Sequence, residues 1–283
     1  MQAKLNKKKL YFLPLTFTLT DKAGNASEFK DEFQTDKEYV DYYNKVRSGL
    51  LSRTSMNSPA VHEEHFLKMA KDGVKKAIHF TISYGLCRTV DVARDTVKKI
   101  QESYPDFDCL CVECSTTTVG QGLLVNIATD MRDKGKELKE TFDYIESIKR
   151  KIQHFIVVDD LKSLVRGGRI SATAGVVGGM LQVKPIIVFN KEGKLQKYKQ
   201  STGLKHTISV IVKEFEHYTL NKDYPIIYVG HTDNMPMATL LKDKLQATYN
   251  VNPEIRMIGP VIGSHLGPNA VAYAFLSNEE RPI

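Results

Sequence analysis

The 283-residue sequence predicts an α/β fold divided into two domains, and three observations support this prediction. At roughly 150 residues per domain, the length corresponds to about two domains. In the first half, short apolar segments alternate with polar loops and amphipathic segments, an order typical of parallel strands joined by right-handed helical crossovers. The strongly amphipathic segment ending at Ile152 separates this region from one with a different order of elements. We therefore predict one domain at 1–152 and a second at 153–283.

The first half is predicted from alternation and from helix-start signals. Threonines that alternate with apolar residues predict a strand around residues 10–20. The capping-box pair Thr35 and Glu38 predicts the start of one helix, and Ser58 followed by Pro59 predicts the start of another. The remaining predicted elements are the loops 52–57 and 83–89, the strands 77–82 and 109–112, and helices at 92–100, 123–133 and 138–152.

The second half is predicted from apolar runs and glycine-rich turns. Runs of Val, Ile and Phe bounded by glycine, proline or asparagine are typical of buried strands. The sequence VRGGRIS, at 165–171, predicts a basic turn, and a glycine-rich helix is expected after it. The predicted strands lie at 155–158, 183–190, after Gly193, at 225–230, 254–257 and 270–275, and the predicted helices at 204–218 and 238–249.

Composition and charge exclude several classes of protein. With 40 basic and 33 acidic residues the net charge is +7. Because both signs are interspersed, this mild excess predicts no nucleic-acid partner, and it is compatible with transient contact with an anionic membrane surface. No apolar run approaches the roughly 18 residues of a membrane helix. The first residues lack the cleavage site of a signal peptide, and the four cysteines cluster within a tenth of the chain. Both observations predict a cytoplasmic protein.

The sequence lacks the common catalytic and cofactor motifs. It contains no G-x-G-x-x-G after a strand, no P-loop, no G-x-S-x-G and no H-E-x-x-H. Cys111 and Cys114 form a C-x-x-C, but no second cysteine pair exists to complete a zinc site. Cys109 and Cys111 alternate on a predicted strand and are expected to be buried as small apolar side chains. We therefore expect no metal and no cofactor.

A set of polar residues predicts a binding site for an acid. Thr54 and Ser55 precede a helix, Ser83 begins a loop after a strand, Arg169 follows a Gly-Gly pair, and His265 lies in an apolar, glycine-rich run. Hydroxyl, guanidinium and imidazole groups that converge would bind a carboxylate or a phosphate. Each residue alone has a simpler interpretation: a turn cap, a bond to a helix carbonyl, or a buried histidine.

Three segments of the second half resemble the DegV family of bacterial fatty-acid-binding proteins. They are DDLKSLVRGGRIS (159–171), GGMLQVKPIIVFN (178–190) and IGPVIGSHLGPNA (258–270). In the first half, LYFLPLTFTLTDKAG, SRTSMNSPAVHEEHF and ECSTTTVGQGLLV are similar to family segments more loosely. The sequence departs from the family in three ways. The opening strand with its D-S-[TS] turn has no counterpart, Cys87 and Arg88 replace a serine and a glycine, and Met56-Asn57 replaces Gln-Pro.

The resemblance implies a fold and a function. The fold would comprise an N-terminal three-layer α/β/α domain with a mainly parallel sheet and a C-terminal two-layer α/β domain. A long-chain fatty acid would occupy a tunnel, with its carboxylate at the domain junction. Such a carrier performs no chemistry itself and presents the acid to a separate fatty-acid kinase.

By position, Thr54 would donate a hydrogen bond to the carboxylate, and Arg169 and His265 would form the basic side of the site. Cys87 would stand in for a ligand-holding serine, while Arg88 would either pair with the head group or narrow the site; Ser55 and Ser83 complete the predicted set. Two alternatives remain open at this point. One is a divergent relative that binds a shorter or phosphorylated acid. The other is an enzyme that uses Cys87 as a nucleophile with His265.

Overall fold

The computed structural model describes residues 10–171 and 182–281, and it confirms the predicted α/β fold. The described strands are β1 (Thr16–Thr20), β2 (Ala26–Lys30), β3 (Leu51–Ser55), β4 (Lys76–Thr81), β5 (Asp108–Glu113), β6 (Ile152–Val157), β7 (Val183–Phe189), β8 (Leu195–Thr202), β9 (Ile227–His231), β10 (Glu254–Met257) and β11 (Val271–Leu276). The described helices are α1 (Asp36–Arg47), α2 (Pro59–Lys71), α3 (Thr89–Ser103), α4 (Thr118–Asp133), α5 (Leu138–Ile148), α6 (Lys162–Arg166), α7 (Leu204–Glu214), α8 (Met235–Tyr249) and α9 (Pro260–Leu266). The predicted glycine-rich helix falls outside the described residues.

The first half contains two small sheets. β1 lies between β2 and β3 in an antiparallel sheet, and β4 pairs with β5 in parallel. The predicted parallel pairing is therefore present in β4 and β5, whereas β1 to β3 form a separate antiparallel sheet. As predicted, Cys109 and Cys111 are buried on β5, where they pack with Phe66 and Phe107.

The second half is built on a six-stranded mixed sheet with the order β10-β9-β11-β6-β7-β8. Only the pair of β9 and β10 is parallel, and the remaining neighbours are antiparallel. One face packs against α7 and α8 through a core that includes Phe155, Ile211, Leu241 and Phe275.

The two halves share a core and a buried arginine. Helix α4 of the first half packs on β11 of the second, so Leu123 and Leu276 lie in one apolar cluster. Arg281, only 2 % exposed, donates hydrogen bonds to the carbonyl oxygens of Ser115 at 2.7 Å and Ile152 at 2.9 Å. These contacts attach the end of the described chain to both halves.

Several element boundaries differ from the sequence predictions for identifiable reasons. The first strand begins at Thr16 and not near residue 10, and Pro14, which has no N–H, precedes its start. The prediction of a loop at 52–57 is wrong for β3, because pairing with β1 makes this mainly polar segment a strand. Helix α4 begins five residues earlier than predicted and includes Gly120. A Cβ at Gly120 would lie 2.9 Å from Thr116 Cγ2, so close packing accounts for this glycine.

Candidate functional site

A cavity of about 80 Å³, here called the junction cavity, lies where the two halves meet. Its walls come from β3 and the segment before β1 on one side, and from β6, α6 and α9 on the other. Most of the lining side chains are apolar. Five of the seven predicted ligand-binding residues line it: Thr54, Ser55, Cys87, Arg169 and His265.

Strand pairing and two tyrosines position opposite walls of this cavity. Thr54 on β3 lies opposite the buried Phe17 of β1, and residues opposite each other in an antiparallel pair project from the same face. On the other wall, α9 is held against the first half by α1. Tyr43 Oη donates to Ile258 O at 2.6 Å, and Tyr42 Oη lies 3.0 Å from Ser264 Oγ.

Thr54 and His265 meet across the junction cavity. The Thr54 hydroxyl and His265 Nε2 are 2.9 Å apart, while the buried Nδ1 of His265 has no hydrogen-bond partner within the part of the chain that the structure describes. Gly167 permits this placement, because a Cβ there would lie 2.8 Å from His265 Cε1 and closer still to Nδ1. Two residues of the predicted set, more than 200 positions apart in the sequence, are therefore in direct contact.

The positive charge in the junction cavity comes from Arg169. Burial, followed by the charges of Arg169 and Arg166, lowers the pKa of His265 to about 4, so its ring is neutral at pH 7. Arg169 donates to Gly167 O, and within residues 10–171 and 182–281 no carboxylate forms an ion pair with it. A neutral imidazole, a hydroxyl and an unpaired guanidinium suit an anionic acceptor.

Cys87 lines the cavity but is not paired with a histidine. Its Sγ lies 2.9 Å from Thr89 Oγ1, while the His265 ring is bonded to Thr54 instead. The structure therefore does not place Cys87 and His265 in the hydrogen-bonded arrangement that an activated thiol nucleophile requires. Ser55 lines the same cavity from an exposed position at the end of β3.

Ser83 and Arg88 do not line the junction cavity. The Ser83 hydroxyl is buried and donates to Gly193 O at 2.5 Å, which joins the loop 83–89 to the turn between β7 and β8. The Arg88 side chain is exposed, pairs with Asp91 at 3.1 Å and lies over the Tyr84 ring. Ser83 thus holds the two halves together, and Arg88 lies on the surface.

Three polar residues that sequence reasoning missed also line the junction cavity: Thr117, Thr118 and His154. Thr117 immediately precedes α4, and His154 lies on β6; both are 3 % exposed. The run of hydroxyls before α4 was a visible signal for Thr117. His154 gave none, because it stands in an apolar segment that reads as an ordinary buried strand.

A second and larger cavity of about 570 Å³, here called the β4 cavity, adjoins the first. The two share five apolar lining residues: Leu15, Ile82, Ile258, Val261 and Ile262. The β4 cavity extends between the segment 10–15 and β4, which pairs with β5 alone among the strands of the described residues. Its size falls within the roughly 300–1,000 Å³ typical of small-molecule sites.

The described residues contain neither a metal cluster nor a membrane span. Across 10–171 and 182–281, no group of three or more His, Cys, Asp or Glu side chains is placed to hold a metal ion. Over the same residues, no helix combines the length and apolar character that crossing a bilayer requires.

Comparisons with known proteins identify one family. The model of the DegV family, described as an uncharacterised protein family, matches residues 2–278. A DegV domain-containing protein of Clostridium perfringens is 32 % identical over 257 residues, which cover 90 % of this chain and 88 % of that protein.

Solved structures share the fold. A Thermotoga maritima protein described as a DegV lipid binding protein superposes with a TM-score of 0.83 at 21 % identity, covering 99 % of this chain and 95 % of its own. The Streptococcus pneumoniae Fatty Acid Kinase (Fak) B3 protein loaded with linoleic acid superposes with a TM-score of 0.81 at 19 % identity, covering 93 % and 90 %.

Proposed function

Since the chain belongs to the DegV family, we propose that it binds a long-chain fatty acid with the carboxylate in the junction cavity. Thr54, Arg169 and His265 would bind the carboxylate. The solved relatives described as lipid binding or loaded with linoleic acid share this fold, which supports the choice of ligand.

The observation that carries the proposal is the Arg169 guanidinium, which forms no ion pair with a carboxylate of the described residues, together with the Thr54–His265 hydrogen bond in the same cavity. Arg169 is half-buried against mainly apolar lining residues, where an anion would stabilise its charge. A carboxylate is such an anion and accepts hydrogen bonds from several donors at once. Ser55 and Cys87 line the same cavity and would contact the ligand from β3 and from the loop 83–89.

The β4 cavity offers apolar volume for the hydrocarbon chain. Because the two cavities share lining residues, the hydrocarbon chain of an acid held in the junction cavity would extend into the β4 cavity. Each methylene removed from water contributes roughly 0.8 kcal/mol, so the chain would supply most of the affinity and the polar groups would orient the ligand.

In this proposal the protein is a cytoplasmic carrier that performs no chemistry on its ligand and hands it to a separate fatty-acid kinase. The name of the Streptococcus pneumoniae relative supports a link to such a kinase. The mildly basic surface would favour brief contact with anionic membranes, from which an acid can be loaded. Nucleic acid is not part of this function.

The test is to identify the bound ligand and then to weaken its binding with variants. The protein is purified without added lipid and denatured in organic solvent, and the released molecules are identified by mass spectrometry. A long-chain fatty acid in equal amount to protein supports the proposal. A shorter or phosphorylated acid overturns this assignment of ligand in favour of the alternative, and an empty protein that also fails to bind palmitate overturns the carrier function.

The matched variants are Arg169→Ala and Arg166→Ala. Both remove one positive charge, but only Arg169 lines the junction cavity. Palmitate affinity should fall in the first variant and stay near wild type in the second. Equal affinities would refute the placement of the carboxylate.

A further inference from the structure

We propose that Thr117 and His154 form a second donor wall in the junction cavity, which binds the carboxylate oxygen not held by Thr54 and Arg169. This inference rests on the proposed function. It assigns to the ligand two further lining residues of the cavity, one from each half of the chain.

Thr117 has a buried hydroxyl without a partner. It is the residue before α4, a position where a hydroxyl ordinarily accepts a hydrogen bond from a backbone N–H of the first turn. Here the side chain makes no such bond, and Oγ1, in a residue only 3 % exposed, has no hydrogen-bond partner among the described residues. A buried hydroxyl left unpaired is costly, and a ligand oxygen would satisfy it.

His154 presents a second unpaired group to the same cavity. Its Nδ1 lies 3.0 Å from Thr116 Oγ1, while Nε2 is buried and bonded to no other part of residues 10–171 and 182–281. Burial, with a smaller effect of Arg281, lowers the pKa of His154 to about 3, so the ring is neutral and carries one N–H. When the Thr116 hydroxyl donates to Nδ1, that proton lies on Nε2 and is available to the ligand.

The position of α4 explains why an anion is expected at this wall. α4 is 16 residues long and begins beside the cavity, so the positive end of its dipole adds to the two donors. A carboxylate has two oxygens and roughly four acceptor positions, more than Thr54 and Arg169 occupy. Two separate donor sets in one cavity would fix the orientation of both oxygens.

The experiment measures palmitate binding by calorimetry in wild type, Thr117→Val, Thr117→Ser and Thr141→Val. Thr141 is the matched control, because it is equally buried and its hydroxyl is also unpaired, but it lines neither cavity. Thr117→Val should weaken binding about tenfold, as expected for loss of a hydrogen bond to a charged group, and Thr117→Ser should restore it. Thr141→Val should bind like wild type.

A stability measurement separates binding from a structural role. Thr117→Val removes an unpaired buried hydroxyl, so the ligand-free variant should melt no lower than wild type although its affinity falls. Wild-type affinity in Thr117→Val, or an equal loss in Thr141→Val, would overturn the inference while leaving the carrier proposal intact. A wild-type protein that binds no palmitate would overturn both.

Discussion

Replacing Gly167 with alanine should displace His265 without straining the backbone. Gly167 has φ −77°, which alanine adopts freely, so its effect arises from the added methyl group. That Cβ would lie 2.8 Å from His265 Cε1 and nearer to Nδ1, whereas non-bonded carbon contacts settle at about 3.5–4.0 Å. The imidazole must therefore move by roughly 1 Å, which would break its 2.9 Å hydrogen bond to Thr54.

The expected loss follows from the displacement of His265, a proposed ligand of the carboxylate. One hydrogen bond to the acid contributes about 1 kcal/mol net, so palmitate affinity should fall roughly fivefold. Because the chain contains no tryptophan, binding is best followed by displacement of a fluorescent fatty acid or by calorimetry.

Gly168→Ala supplies the matched control. Gly168 has φ +70°, and a Cβ there has no atom within 4 Å, so this variant strains the backbone and leaves His265 in place. It should lower the melting temperature and keep the wild-type affinity. Unchanged affinity in Gly167→Ala, or an equal loss in Gly168→Ala, would refute the reasoning.

Three further predictions concern other buried or cavity residues. Burial raises the pKa of Asp31 from 3.8 to about 6, so the folded state binds this proton more tightly than the unfolded state does. The free energy of unfolding should therefore fall as pH rises from about 4 to about 6. Asp31→Asn should flatten the dependence of the melting temperature on pH over this range. Cys87 should be the first thiol to react with an alkylating reagent, since the other three cysteines are buried. Bound palmitate should slow this reaction, because Cys87 lines the junction cavity. Equal rates with and without palmitate would contradict the proposal that Cys87 contacts the ligand. Arg281→Ala should lower the free energy of unfolding, measured in denaturant, by about 3 kcal/mol or more. The reason is that several backbone carbonyl oxygens would lose the guanidinium as their hydrogen-bond donor. An exposed control, Arg88→Ala, should have little effect.

The sequence predicted those elements whose signals are local. The capping box at Thr35 and Glu38 is present in the structure, and the alternation of Cys109 and Cys111 correctly identified a buried strand. β3 was missed because it is mainly polar and exposed, and its strand conformation depends on pairing with β1, about 35 residues earlier.

In the candidate site too, local motifs indicated some residues, while the roles of others depend on distant contacts. The motifs around Arg169 and His265 indicated the residues, and the fold brings them together with Thr54. Sequence alone did not indicate that the Ser83 hydroxyl donates a hydrogen bond to Gly193 O, nor that His154 lines a cavity. Both facts depend on contacts between distant segments.

The junction cavity has walls from both halves of the chain, so a bound ligand would contact both halves and link them. Any ligand that touches Thr54 on one side and Arg169 on the other adds its binding free energy to the association of the halves. At a free ligand concentration 100 times the Kd this amounts to about 2.7 kcal/mol. A loaded molecule would then be stiffer than an empty one, and a partner could distinguish the two from the outside without touching the ligand.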